Sequence, residues 1–230
     1  MHKSTMRVAF RDTIPVMAGY VFLGFGFGIL LYQSGYGVLW SFAMSLFIYA
    51  GSMQYLTVSL LTSGAGLLTT ALATLVVNAR HLFYGISMVD AYKGAGKKKP
   101  YMIFALTDET YSLVSQNQVP EGVSRHSYCF LVSLFDQIYW VSGSVLGSLA
   151  GTLLPIDFTG IAFALTALFV TIFVEQWLST KNHIPAVIGT VSTLACLLIF
   201  GRDLFLIPSM VIIAIVLTTQ RKTGRREHNV

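Results

Sequence analysis

The amino-acid sequence predicts an all-α fold, a polytopic membrane helix bundle of about 7–8 transmembrane or re-entrant segments, some of them broken. Three observations point there. The 230 residues are 54% hydrophobic and only 11% charged, with a mean hydropathy of +0.68, which exceeds what an ordinary soluble core requires. Apolar runs recur along the chain near the ~20 residues a helix needs to cross a bilayer, and they alternate too little for barrel strands. Basic residues collect where those runs end.

Taken in order, residues 1–13 form a basic N-terminal segment with Lys3, Arg7 and Arg11, followed by apolar runs at 14–32, 38–61 and 67–89. The first run is longer than a signal-peptide core and lacks a small-x-small cleavage site, so it is expected to be retained. A basic loop, KGAGKKKP at 93–100, leads to a shorter and more polar run at 101–115. Runs at 128–154, 158–178, 184–200 and 204–218 complete a single transmembrane domain, 14–219, before the basic tail 220–230. Short basic segments stay in the cytoplasm, so the N-terminus, the 93–100 loop and the C-terminus are all expected there. This end-of-run placement argues against nucleic acid as a partner despite the net charge of +5. Cys129 and Cys196 lie in separate apolar runs and read as small buried hydrophobes.

The crossings do not count evenly. Three runs separate the N-terminus from the basic loop, and four runs plus the short one separate the loop from the tail. Either one span on each side is re-entrant or broken, or the inside rule fails here. Breaks are expected where Gly and polar residues interrupt apolar runs: GFGFG at 24–28, AGSMQ at 50–54 and TDET at 107–110. LGFGFGILLYQSG also overlays ALTDETYSLVSQNQ, and SLF recurs at 45–47 and 133–135; this is either an internal repeat or shared composition.

Ionisable groups inside apolar surroundings are few: Arg80, His81, Asp108, Glu109, Asp136 and Glu175. Arg80 in NARHLFYG demands a carboxylate, and Asp108 or Glu109 is the first to offer one, unless it snorkels into a wet vestibule. Tyr84, four residues on, is its stacking neighbour on the helix, while Asn78, His81 and Gly85 share another face. His81 either relays protons or hydrogen-bonds a neighbouring helix. Asp136, Trp140, Gly143, Gly147 and Gly151 fall in one helical stripe, which reads as a close-packing face ending in an acid that either has a partner or reaches the membrane surface. Ala164, Ala167, Thr171 and Glu175 form a second such face. No Cys/His cluster suggests a metal or cofactor, and Ser52 lacks the G-x-S-x-G setting of a hydrolase, so an enzyme is not expected.

AGSMQ, NARHLFYG, ALTDETYS and ALTALFVTIFVEQW together resemble the AzlC family, large subunits of bacterial branched-chain amino acid exporters, from about Phe10 to the end of the chain. The resemblance implies a bacterial inner-membrane permease that exports valine, leucine or isoleucine with a small AzlD-type membrane subunit. It brings forward Ala50, Gly51, Gln54, Asn78, Arg80, His81, Thr107, Asp108, Glu109, Asp157 and Glu175 as family positions. For an amino-acid zwitterion, broken helices offer amides for the carboxylate and freed carbonyls for the ammonium. Expected substrate contacts are therefore Gly24, Phe25, Gly26, Phe27, Ala50, Gly51, Met53, Gln54 and Asn78, with Arg80, His81, Asp108 and Glu109 relaying charge or protons. A channel, a structural subunit and a carrier of another amphipathic solute are the competing readings.

Overall fold

A computed structural model describes residues 2–115, 119, 122–153, 170, 173–174, 177–178, 183–205, 208–209, 211–213 and 215–216. The chain is helical and divides into two compact units, residues 1–70 with 77–165, and residues 71–76 with 166–230. Among the described residues, three helical segments are long and apolar enough to cross a membrane: Thr5–Gln33, Arg125–Leu153 and Ile184–Gly201.

The first unit is organised by two long helices. Helix α1 spans His2–Gln33, about 48 Å at ~1.5 Å per residue, so it is longer than the ~30 Å hydrocarbon layer. The break expected at 24–28 is not there, because α1 runs through GFGFG without interruption. The physical reason is α8, Arg125–Leu153, which lies against that stretch at backbone contact distance. A Cβ on Gly24 would meet Trp140 O at 2.8 Å, one on Gly28 would meet Ser144 O at 2.0 Å, and one on Gly147 would meet Phe25 O at 2.0 Å. Small residues are used here for close approach of two helices, which is what the Gly143, Gly147 and Gly151 stripe promised.

The other two breaks are present. The run at 38–61 is α2, Val38–Phe47, and α3, Gly51–Thr62, separated at Tyr49, the one non-glycine at positive φ (44°) among the described residues. The short polar run is α6, Lys99–Phe104, and α7, Asp108–Val114, where Thr107 caps α7 by accepting from Thr110 N–H. Between these lie α4, Leu67–Asn78, and α5, Arg80–Met88, with only Ala79 between them and still in helical conformation.

A broken helix leaves carbonyls that apolar surroundings cannot solvate, so protein groups must take them up. At the α2 end, Gln137 Nε2 of α8 donates to Leu46 O at 3.0 Å, and Gln137 Oε1 accepts from Tyr101 OH of α6 at 2.6 Å. Away from the breaks, Ser41 Oγ of α2 donates to Ser144 O inside α8 at 2.8 Å, and the Tyr55 hydroxyl of α3 donates to Leu23 O inside α1. One apolar core packs Tyr20, Phe27, Leu31, Tyr49, Val58 and Trp140 around the first break. A second packs Met88, Tyr92, Met102, Leu106 and Val132 around the other.

In the second unit, α9 spans Ile184–Leu204, with proline in its first turn and a local interruption at Gly201 (φ 72°). Most of the expected runs at 158–178 and 204–218, together with Asp157, Ala164, Ala167, Thr171 and Glu175, lie outside the described residues.

Candidate functional site

The first break begins α3 with Gly51, Ser52 and Met53, whose N–H groups precede the first intrahelical bond, from Gln54 N–H to Ala50 O at 2.8 Å. No side chain caps this end. The second break begins α7 with Asp108 and Glu109 in its first turn, where acids suit the positive end of the helix dipole. Arg80 joins the two. Its Nη1 lies 2.6 Å from Asp108 Oδ2, and its Nη2 donates to Ser52 Oγ at 3.1 Å. Both charged side chains stay accessible, at 42% and 32% exposure, so this pair borders a space and is not sealed in a core.

Glu109 turns the other way. Its Oε2 accepts a 2.6 Å hydrogen bond from the Tyr20 hydroxyl of α1. Of the two acids that Arg80 could meet, Asp108 takes the guanidinium and Glu109 accepts from the phenol. Tyr20 OH also lies 2.6 Å from Thr107 Oγ1, which is 3.1 Å from Thr110 Oγ1. Thr110 Oγ1 in turn donates to Asp136 Oδ2 at 2.7 Å. Asp136 is fully buried, with Thr110 as its hydrogen-bond partner.

The remaining expected residues are distributed unevenly. Gly51 packs on the Trp140 indole, whose nearest ring carbon would be 3.0 Å from an added Cβ. Gln54 is fully buried, accepting from Trp140 Nε1 at 2.9 Å and donating to Ser45 Oγ at 3.2 Å, so it ties α2, α3 and α8 together. Met53 is in the core and Ala50 is partly buried at the break. Asn78 offers its carbonyl to His81 Nδ1 at 3.1 Å, a bond within one helix turn. Tyr84 stacks on Tyr111 of α7, with ring centroids 4.6 Å apart, and meets His81 edge-on; it is Tyr111, not Arg80, that supplies the stacked group.

Gly24 uses its missing side chain against α8. Phe25 lines an open apolar groove of about 400 Å³ with Met17, Ala18, Val21 and Phe22, all from α1. Gly26 is partly buried between them, and Phe27 is fully buried against Trp140 and Tyr55. Among the described residues, no group of three His, Cys, Asp or Glu is placed to hold a metal. Sequence reasoning missed Tyr20, Tyr49 and Gln137. Gln137 carried a usable signal, a polar side chain beside Asp136 in an apolar run, whereas the two tyrosines are indistinguishable from interfacial ones until the chain folds.

Apolar helices of membrane-crossing length, with two interruptions linked through Arg80 and a freed backbone carbonyl taken up inside the protein, define a polytopic membrane protein of the broken-helix class. The family model described as AzlC protein matches residues 15–154, a stretch that contains both breaks and every residue of this site. The chain is 41% identical over 219 residues to the "Branched-chain amino acid transport protein AzlC" of Bacillus subtilis (strain 168), covering 95% of this chain and 86% of that protein. It is 40% identical to an uncharacterized membrane protein of Helicobacter pylori (strain ATCC 700392 / 26695), covering 93% and 94%. It is 27% identical to the "Inner membrane protein YgaZ" of Escherichia coli (strain K12), covering 90% and 84%. The chain belongs to the AzlC family. No solved structure matches it.

Proposed function

We propose that this chain is the large subunit of a secondary transporter that exports amino acids, branched-chain ones first among them, across the bacterial inner membrane. The observation that carries this reading is Arg80, held between Ser52 at the start of α3 and Asp108 at the start of α7. An amino-acid zwitterion presents the same two charges as the Arg80–Asp108 pair. Its carboxylate replaces Asp108 on the guanidinium and takes the N-terminal amides of Gly51 to Met53; its ammonium takes Asp108 and carbonyls freed at the break. The ion pair then acts as a placeholder that keeps both charges satisfied when the site is empty, and transfer of the pair to the substrate couples binding to movement of the half-helices.

Ala50, Gly51, Met53 and Asn78 are the proposed substrate neighbours, with Gln54 holding α3 in place. Gly24, Phe25 and Gly26 contribute through α1's packing on α8 and do not contact the zwitterion. Glu109 is the proton-accepting group of this reading, with both termini in the cytoplasm and a small AzlD-type membrane subunit completing the carrier. The names of the relatives in Bacillus subtilis and Escherichia coli support the substrate class and the membrane.

The test is efflux of labelled valine, leucine and isoleucine from cells expressing the chain with and without its small partner. Saturable, stereospecific export with counterflow, lost in Arg80→Ala, is expected. Unsaturable leakage unaffected by that substitution would favour a channel or a structural role.

A further inference from the structure

We propose that Asp136 is a proton-binding site inside the membrane, loaded from Glu109 through the hydroxyls of Tyr20, Thr107 and Thr110; this deepens, and rests on, the proton-coupled reading of the second break.

The argument starts from what surrounds the carboxylate. Asp136 sits about 16 Å along α8 from Arg125, counting ~1.5 Å per residue, and is fully buried. Its Oδ2 accepts from Thr110, and its Oδ1 has no hydrogen-bond partner. The titratable groups that face it are Glu109 of α7, Tyr49 at the first break, Tyr101 of α6 and Tyr128 of its own helix; α1 adds Tyr20 through the hydroxyl chain. Among the described residues no Lys, Arg or His forms an ion pair with it. A bare carboxylate in such a place is strongly disfavoured, and a proton is the smallest species that neutralises it. The buried Tyr49 hydroxyl also interacts with Tyr20 and Asp136.

The route is continuous. Glu109 Oε2 and Tyr20 Oη are 2.6 Å apart, Tyr20 Oη and Thr107 Oγ1 2.6 Å, Thr107 Oγ1 and Thr110 Oγ1 3.1 Å, and Thr110 Oγ1 and Asp136 Oδ2 2.7 Å. A proton on Glu109 passes to the Tyr20 oxygen while each hydroxyl hands its own proton forward, ending on Asp136 Oδ2. Every O–H bond broken is replaced by one formed, and the negative charge moves from Asp136 to Glu109. Glu109 is only partly buried and Asp136 fully buried, so Glu109 is the end that exchanges protons with the outside of the protein. The return path needs no new groups, because each hydroxyl both donates and accepts.

The experiment is an infrared pH titration of the full chain reconstituted in lipid. A protonated-carboxyl C=O band that fades as pH rises is expected, shifted when the protein is made with isotope-labelled aspartate, and lost in Asp136→Asn. The isotope shift in the unmutated chain keeps the test sound if Asp136→Asn does not fold. Thr110→Val should keep the band while slowing its response to a pH jump. No aspartate band at any pH overturns the proposal, and so does a band that sodium abolishes at fixed pH, which marks a metal-cation site instead. A titrating band in a chain that moves no amino acid defeats the transport reading alone; pH-driven export without the band defeats this one alone.

Discussion

Arg80 of α5 meets Asp108, at the second helix break, at 2.6 Å. Each has a second anchor: Arg80 also holds Ser52, and Asp108 sits in the first turn of a helix capped by Thr107.

The first prediction separates binding from stability at this pair. Arg80→Ala removes a charge-assisted partner worth about 1.5–3 kcal/mol, so export should fall about 10–100-fold. Arg80→Lys keeps the charge but cannot reach Ser52 and Asp108 together as a planar fork does, and should recover little of the loss. The double variant Arg80→Ala/Asp108→Ala leaves no unpaired charge and should unfold closer to the unmutated temperature than either single variant, while export stays lost. Thermal unfolding in detergent alongside efflux measures both; equal loss of stability in all three would show a purely structural pair.

Close approach of α1 and α8 gives the second prediction. A methyl on Gly28 or Gly147 would fall 2.0 Å from a backbone oxygen of the facing helix, and backbone cannot step aside as a side-chain tip can. Gly28→Ala and Gly147→Ala should each destabilise by about 1–3 kcal/mol or more. Gly19→Ala, where nothing lies within 4 Å, should be neutral or slightly stabilising because Ala is the better helix former. Unfolding temperatures of the three variants check this, and a tolerated Gly147→Ala would mean the two helices pack less closely than described.

A buried polar contact supplies the third. Trp140 Nε1 donates to Gln54 Oε1 at 2.9 Å inside the core. Gln54→Leu orphans that indole N–H and should cost about 1–3 kcal/mol. Adding Trp140→Phe removes the orphan, so the double variant should be less damaged than the sum of the singles, by about 0.5–3 kcal/mol in a double-mutant cycle. Additive losses would show that the contact carries no energy of its own.

The sequence made the membrane helices legible because length and hydropathy are local properties: residues 38–61 reappear as α2 plus α3, and 128–154 as α8. Polar interruptions located two real breaks because a freed backbone group needs a polar or permissive neighbour wherever it occurs. GFGFG misled for a reason equally physical. Glycine both loosens a helix and lets another approach, and only the presence of α8 decides which. The Arg80–Asp108 pair was within reach since intramembrane charges have few possible partners. The links from Glu109 to Tyr20 and from Thr110 to Asp136 join residues 89 and 26 positions apart, and nothing in the chain's periodicity encodes which tyrosine or aspartate arrives there.

Thr107 gives the last prediction, because it serves two structures with one hydroxyl. Its Oγ1 accepts from Thr110 N–H at 3.3 Å, capping α7, and lies 2.6 Å from the Tyr20 hydroxyl. Losing an N-cap of this kind costs about 1 kcal/mol, so Thr107→Val should lower stability by that order. It should also free Glu109 from its fixed relation to Asp136, weakening the pH dependence of export more than its maximal rate. Thr107→Ser keeps the hydroxyl and should restore both. The pH profiles of efflux for the two variants, beside their unfolding temperatures, measure the separation. If Thr107→Val lost stability alone and kept its pH profile, the hydroxyl would be a cap only, and the path to Asp136 would not pass through it.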